Sequence, residues 1–244
     1  MPKLHIYKNE RETCYAFAEW LADLVKETLT RQGSFTIALS GGDTPKLVYK
    51  ILATDYATKI DWDKIHLFWG DESFISSTDE KNNPALVLKM LIDTLPVPKN
   101  HVHGIRTDIS PEASALKYED LLKTYFNNGN TTFDLVILGM GEKGNLLSLY
   151  PFSQESHHHS GWVMPVYDKQ DDLYKVTLTI TAINASAVKA FLITGKKKED
   201  VVQQVLKGKY EPEKSPAQLI VAANKPVHWF LDEGSAGKLI KPTH

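Results

Sequence analysis

Three short segments of this 244-residue chain combine glycine with side chains able to hold an anion or move a proton. The first is Leu39-Ser40-Gly41-Gly42-Asp43-Thr44-Pro45, a glycine turn between an apolar run and a helix start. Backbone N–H groups and the helix dipole at such a turn hold an anion without a basic side chain, and glycine lets a phosphate come close. The pattern suits a phosphorylated metabolite, with Ser40, Gly41, Gly42 and Thr44 as candidate ligands. It is neither a Walker loop nor a dinucleotide fingerprint, because no Gly-Lys-Ser/Thr follows and G-x-G-x-x-G is absent. A tight strand-to-helix turn with no ligand fits it equally well.

The second segment, Trp69-Gly70-Asp71-Glu72-Ser73, puts adjacent acids at the end of an apolar run, where open α/β sheets place their ligands. Asp71 and Glu72 are therefore candidates to orient sugar hydroxyls or a water; simple capping of the next element is the alternative. Asn82 and Asn83 read as loop and helix cap. The third segment, Leu138-Gly139-Met140-Gly141-Glu142-Lys143-Gly144-Asn145, makes a backbone-lined wall in which Lys143 adds a charge for an anion. Taken alone it is a glycine-rich turn. Each segment follows a predicted strand, so a parallel sheet would bring all three to one edge as a single site. His157, His158 and His159 are consecutive and lack a cysteine or acid at ligand spacing, so they read as a solvated loop and no metal is expected.

The elements that must position these segments alternate in the manner of a helix-flanked, mostly parallel sheet. Strands are predicted at Phe35 to Leu39, Ile65 to Trp69, Phe133 to Leu138, Val176 to Ile180, Ala190 to Thr194 and Val227 to Leu231. Helices are predicted at Glu10 to Arg31, Pro45 to Leu52, Asn83 to Leu95, Pro111 to Phe126 and Lys197 to Leu206. Thr44-Pro45 and Ser110-Pro111 each read as a cap followed by proline at the first helical position. With no repeat or linker in the sequence, residues 1–244 are expected to form a single α/β domain.

Composition narrows the function classes. The balance of 28 Lys+Arg against 30 Asp+Glu, net −2, argues against nucleic acid as the partner, because phosphate-backbone binding leaves a basic stripe. Hydrophobic residues at 42% and charged residues at 24% exclude a disordered or fibrous chain. The lone cysteine, Cys14, cannot close an intrachain disulfide and fits a reducing compartment. No apolar run reaches roughly 18 residues, and Met1 to His5 carry no signal-peptide core, so no membrane association and a cytoplasmic location are expected.

At the three loops, and over nearly its whole length, the chain resembles the 6-phosphogluconolactonase family and, more broadly, the glucosamine-6-phosphate isomerase/deaminase superfamily. The family's S-G-G-S-T-P is matched by Ser40 to Pro45, its W-x-D-E-R by Trp69 to Ser73, and the following D-x-x-S-N by Asp79 to Asn83. Its D-L-x-L-L-G-M-G-x-D-G-H-T-A-S-L-F-P is matched by Asp134 to Pro151, its R-x-T-L-T by Lys175 to Thr179, and its G-x-x-K by Gly195 and Lys198. Trp229 to Asp232 follow near the end. The resemblance implies a Rossmann-like, deaminase-type α/β fold and hydrolysis of 6-phospho-D-glucono-1,5-lactone to 6-phosphogluconate in the pentose phosphate pathway. It also implies a phosphorylated sugar lactone as partner and neither metal nor organic cofactor.

In that family the histidine of D-G-H is the base that activates water, while basic residues and the S-G-G loop hold phosphate. Carried over residue by residue, the resemblance implies a catalytic group of Asn145, Asp71 and Glu72. The implied phosphate-binding group is Ser40, Gly41, Gly42, Thr44, Ser73, Lys143, Gly144, Lys175 and Lys198. Four positions depart from the pattern: Asn145 replaces the histidine, Lys143 an aspartate, and Ser73 and Lys175 two arginines. Asparagine accepts no proton at neutral pH, which removes general-base assistance of roughly 10²–10⁴-fold unless Asp71, Glu72 or a histidine of 157–159 supplies it. Ser73 lacks the forked cation, and Lys175 keeps a charge without bidentate geometry. The readings are then an impaired or rearranged lactonase, a non-catalytic phosphosugar-binding homologue, or an amino-sugar-phosphate isomerase or deaminase.

Overall fold

The computed structural model describes residues 2–75, 91–127, 129, 132–153, 160–221 and 226–240. Ten strands run through them: β1 (Lys3–Tyr7), β2 (Phe35–Leu39), β3 (Ile65–Trp69), β4 (Asp71–Ser73), β5 (Val102–His103), β6 (Leu135–Leu138), β7 (Val163–Asp168), β8 (Leu173–Leu178), β9 (Val188–Ile193) and β10 (Val227–Asp232). The helices are α1 (Glu10–Leu29), α2 (Asp43–Asp55), α3 (Pro111–Tyr125), α4 (Ile180–Ala185), α5 (Glu199–Lys207), α6 (Ala217–Val221) and α7 (Glu233–Ile240). The predicted helix from Asn83 lies largely outside the described residues, as do Asp79 to Asn83 and the three consecutive histidines; residues 91–94 are helical.

Seven strands form one parallel sheet in the order β1-β10-β9-β6-β2-β3-β5. Its central members are buried along their full length, as Phe35–Leu39 and Leu135–Leu138 are, because helices cover both faces of a parallel sheet. α1 contributes a stripe of Cys14, Phe17, Ala18, Leu21, Val25 and Thr28, at helical spacing. Its start is fixed by Asn9, whose side chain accepts from Glu12 N at 2.9 Å and donates to Glu12 Oε1 at 2.9 Å, a reciprocal cap. No helix among the described residues is long and apolar enough to cross a membrane.

A second, antiparallel sheet has the order β4-β8-β7. Gly70 joins the two sheets: its N–H donates to Leu39 O at 2.8 Å and its carbonyl accepts from Leu178 N at 2.8 Å. A Cβ there would lie 2.9 Å from Leu147 Cδ2 and 3.0 Å from Leu39 O, so only glycine lets the strands approach this closely. Pro165 sits in β7, an edge strand, where its missing N–H breaks no interior ladder.

Several predicted boundaries shift by one or more residues, two of them for an identifiable reason. α2 begins at Asp43 and is capped by Gly42 at φ 103°, not by Thr44, so Pro45 is its third residue, still within the turn whose N–H groups have no helical acceptor. The predicted strand Val176 to Ile180 ends at Leu178, because the Thr179 hydroxyl accepts from Ala182 N at 3.3 Å and starts α4. Ser110 caps α3 as expected, accepting from Ala113 N at 3.2 Å.

Candidate active site

The loops after β2, β3, β6, β9 and β10 all leave the parallel sheet at its carboxyl edge and enclose one cleft of about 800 Å³. Two buried tyrosines fix the strand ends beneath it. Tyr49 of α2 receives Ser40 N at 3.1 Å and donates to Ser40 O at 2.8 Å, while Tyr118 of α3 receives Trp69 N at 2.8 Å and donates to Trp69 O at 3.0 Å. Each ring satisfies backbone groups beyond the end of a ladder, so the chain leaves β2 and β3 in a set direction.

Beyond Ser40, residues Gly41 to Pro45 line the cleft. The Gly42 cap has no side chain, so the first turn of this 13-residue helix has no side-chain acceptor and presents its positive end to the cleft. The Thr44 hydroxyl lies 2.8 Å from the Thr194 hydroxyl and 3.1 Å from Glu10 Oε1.

Asp71, Glu72 and Ser73 form β4, paired with Thr177, Val176 and Lys175 of β8, and all three line the cleft. Asp71 Oδ2 accepts from Ser148 Oγ at 2.7 Å. Burial raises its carboxyl, and the Ser148 hydroxyl and the Lys175 charge pull it partly back. Glu72 accepts from Ser73 N at 2.9 Å. Burial, reinforced by the charge of Asp71 and opposed by that hydrogen bond, pushes the Glu72 carboxyl up to about 7. A carboxylate poised there both takes and returns a proton near neutral pH.

The glycine segment after β6 carries Asn145 on the cleft wall. The Asn145 amide lies across Gly141, where a Cβ would stand 1.7 Å from Asn145 Oδ1, so residue 141 has to be glycine for the amide to occupy this position. Leu147, also on the wall, has φ 50°, a left-handed conformation uncommon for a bulky residue and held here by the packing against Gly70. Two lysines reach the cleft. Lys198 donates to Met140 O at 2.8 Å, and burial pulls its ammonium below its ordinary value. Lys175 is paired with Asp168 at 2.8 Å.

The structure thus gathers Ser40, Gly41, Gly42, Thr44, Asp71, Glu72, Ser73, Asn145, Lys175 and Lys198 around one space. Lys143 and Gly144 do not line it. Lys143 Nζ donates to Gln170 Oε1 at 3.4 Å and borders a separate shallow concavity with Glu142 and Lys214. Gly144, at φ 88°, is buried, with its Cβ position 3.3 Å from Lys214 O, and serves the turn. Glu10, Thr194 and Asp232 also line the cleft and were not expected there. Thr194 and Asp232 end up there because they sit at the ends of β9 and β10, the position that brought the other loops together. Among the described residues no three His, Cys, Asp or Glu side chains are grouped to hold a metal ion.

The family model for glucosamine-6-phosphate isomerases/6-phosphogluconolactonase matches residues 8–229. A 6-phosphogluconolactonase of Nostoc sp. is 33% identical over 215 residues, covering 86% of this chain and 87% of that protein. A chloroplastic 6-phosphogluconolactonase of Arabidopsis thaliana is 31% identical over 249 residues, covering 97% of this chain and 75% of that protein. The crystal structure of a 6-phosphogluconolactonase from Thermotoga maritima superposes with a TM-score of 0.82 at 26% identity, covering 95% of this chain and 100% of that one. With the family model matching residues 8–229, most of its length, the chain belongs to the glucosamine-6-phosphate isomerase/6-phosphogluconolactonase family.

Proposed function

We propose that the chain hydrolyses 6-phospho-D-glucono-1,5-lactone to 6-phosphogluconate, with Glu72 in place of the histidine as the group that moves the proton. The observation that carries this reading is Glu72 itself, a half-buried carboxylate pushed up to about 7 that lines the same cleft as the start of α2. The substrate phosphate lies against Gly41, Gly42 and Thr44 at the start of α2, with Ser73, Lys175 and Lys198 as further polar partners. Glu72 takes a proton from water as its oxygen bonds to the lactone carbonyl carbon. The carbon–ring-oxygen bond then breaks, and Glu72 returns the proton to the departing ring oxygen, which becomes a hydroxyl. The product is a carboxylic acid that ionises. Asn145 cannot take the proton, but its amide N–H can donate to the carbonyl oxygen as charge develops there. The lone cysteine, buried in α1, supports a cytoplasmic setting for this chemistry.

Asn145 also supports a second reading, a phosphosugar-binding homologue without turnover. A coupled assay on freshly made lactone, run against its spontaneous hydrolysis, separates the two. Acceleration that disappears in Glu72→Gln supports the proposal. Binding of 6-phosphogluconate by calorimetry with no acceleration supports the second reading and sinks the first.

A further inference from the structure

The wall formed by the first turns of α1 and α2 and the end of β9 carries a carboxylate that the proposed hydrolysis does not use. Glu10 Oε1 accepts from Thr194 Oγ1 at 2.9 Å and from Thr44 Oγ1 at 3.1 Å, and the two hydroxyls stand 2.8 Å apart. Two hydroxyls own two protons, so the three contacts cannot all be hydrogen bonds at once, and the cluster holds more acceptors than donors. Thr44 is the second residue of α2, so the Glu10 carboxylate stands at the positive end of a helix whose cap has no side chain. Among the described residues no lysine or arginine forms an ion pair with it. The local field is acidic: burial first, then the charges of Glu10 and Asp232, push the Cys14 thiol up to about 12.

We propose that Glu10 is an internal competitor for the phosphate of the ligand. It holds the hydroxyls of Thr44 and Thr194 in the free protein, and a phosphate monoester has to take those hydroxyls from it and sit beside its charge. This inference rests on the reading of the α2 loop as the phosphate subsite and assigns that subsite its affinity-setting residue. The consequence is a weakened grip on phosphate monoesters, product included. Glu10 is a specificity-determining position that touches the phosphate, and the reacting carbonyl lies elsewhere in the cleft.

The test is calorimetry of the full chain with inorganic phosphate, alongside KM for the lactone, in Glu10→Gln and Glu10→Ala. Glutamine keeps an acceptor for both threonines and removes the charge. The expected result is phosphate binding about tenfold tighter, a lower KM, and a gain that shrinks in 0.5 M NaCl as screening removes the repulsion. A purely structural Glu10 moves the other way, because losing its acceptors loosens the threonines and weakens binding. Unchanged or weaker phosphate affinity in both variants overturns the inference. A parent chain with no measurable phosphate affinity still decides it, since binding must then emerge in the variants. Absence of lactone turnover by the parent chain would instead sink the proposed hydrolysis, because phosphate affinity is read without catalysis.

Discussion

The Lys175 ammonium stands 2.8 Å from the Asp168 carboxylate and 3.2 Å from the Tyr150 hydroxyl, which itself donates to Asp168. Asp168 is buried behind the cleft wall and also accepts from Gln170 N at 2.9 Å and Asp171 N at 3.3 Å. The Lys175 cation on the cleft wall is thus anchored from behind, with its charge already shared.

That anchoring makes Asp168→Asn a stability variant. Burial alone would raise the Asp168 carboxyl, but hydrogen bonds from Lys175 and Tyr150 hold it well below the usual carboxylate range. Burial would lower the Lys175 ammonium, but Asp168 and Tyr150 hold it above its ordinary value. The acid contributes stability above its unfolded value near pH 4 and loses it as pH falls; the lysine contributes below about pH 10 and loses it as pH rises. Breaking a mostly buried pair from one side costs roughly 2–4 kcal/mol, so Asp168→Asn should lower Tm at pH 7 by roughly 5–10 °C. Thermal melts across pH check this. A variant that melts with the parent at pH 7 would mean that the pair contributes nothing.

Glu72 should link activity and stability with opposite signs. As the base it must be ionised, so kcat/KM should rise with pH through about 7 and level off, and Glu72→Gln should lose about 100-fold or more. Its folded value lies above its unfolded one, so the fold holds the proton between about pH 4.5 and 7 and loses stability as pH rises through that window. Glu72→Gln should therefore be the more stable protein at pH 8, by roughly 2–3 kcal/mol, and equal to the parent at pH 4. Equal melting of the two proteins at pH 8 contradicts the burial argument, and a flat pH–rate profile contradicts the role.

How far the sequence reveals this arrangement depends on where each element sits. Phe35–Leu39 and Ile65–Trp69 are legible to the residue, because strands buried on both faces are continuous apolar runs bounded by polar turns. Lys3–Tyr7, Val102–His103 and Val163–Asp168 lie at sheet edges, where Lys3, His5, His103 and Pro165 break the pattern, and none was predicted. Asp71–Ser73 reads as a loop because two acids carry no strand signal, and only the pairing with β8 makes it β4. The same limit applies within the site. Glycine marks the loops after β2 and β6, but nothing local to Glu10 points to Thr44 and Thr194, 34 and 184 residues away. Lys143 has the right type and spacing for an anion ligand, yet its side chain leaves the turn toward Gln170.

Acid should weaken the fold through two histidines at opposite ends of the parallel sheet. Burial, then the charges of His101 and His103, lower His66 to about 4, and burial, then His5 and Lys3, lower His228 to about 4. His66 Nδ1 lies 3.2 Å from His103 Nε2, and His228 Nδ1 lies 3.1 Å from His5 Nε2, so protonating either ring places charge against another imidazole. The folded values lie below the unfolded value near 6.5. Stability is therefore full above about pH 6.5 and falls as pH drops toward about 4. His66→Phe and His228→Phe should flatten the decline in Tm between pH 6.5 and 4. A decline of unchanged slope in both variants rules these rings out as its source.

Asn145→His should restore a second proton acceptor on the cleft wall. An imidazole with an ordinary value near 6.5 is matched to neutral pH, whereas the amide can only donate or accept hydrogen bonds. The ring has to occupy the space over Gly141 now filled by the amide, which the absence of a side chain at 141 leaves open. The expected outcome in the coupled lactone assay is a rise in kcat of about tenfold, with activity persisting below pH 7 where Glu72 is protonated. Adding Lys143→Asp should give no further gain, because the residue 143 side chain leaves the cleft for the concavity beside Glu142 and Lys214. A double variant faster than Asn145→His alone would show that position 143 reaches the reacting groups after all. If Asn145→His turns over no faster than the parent, Glu72 already supplies all the base that the reaction uses.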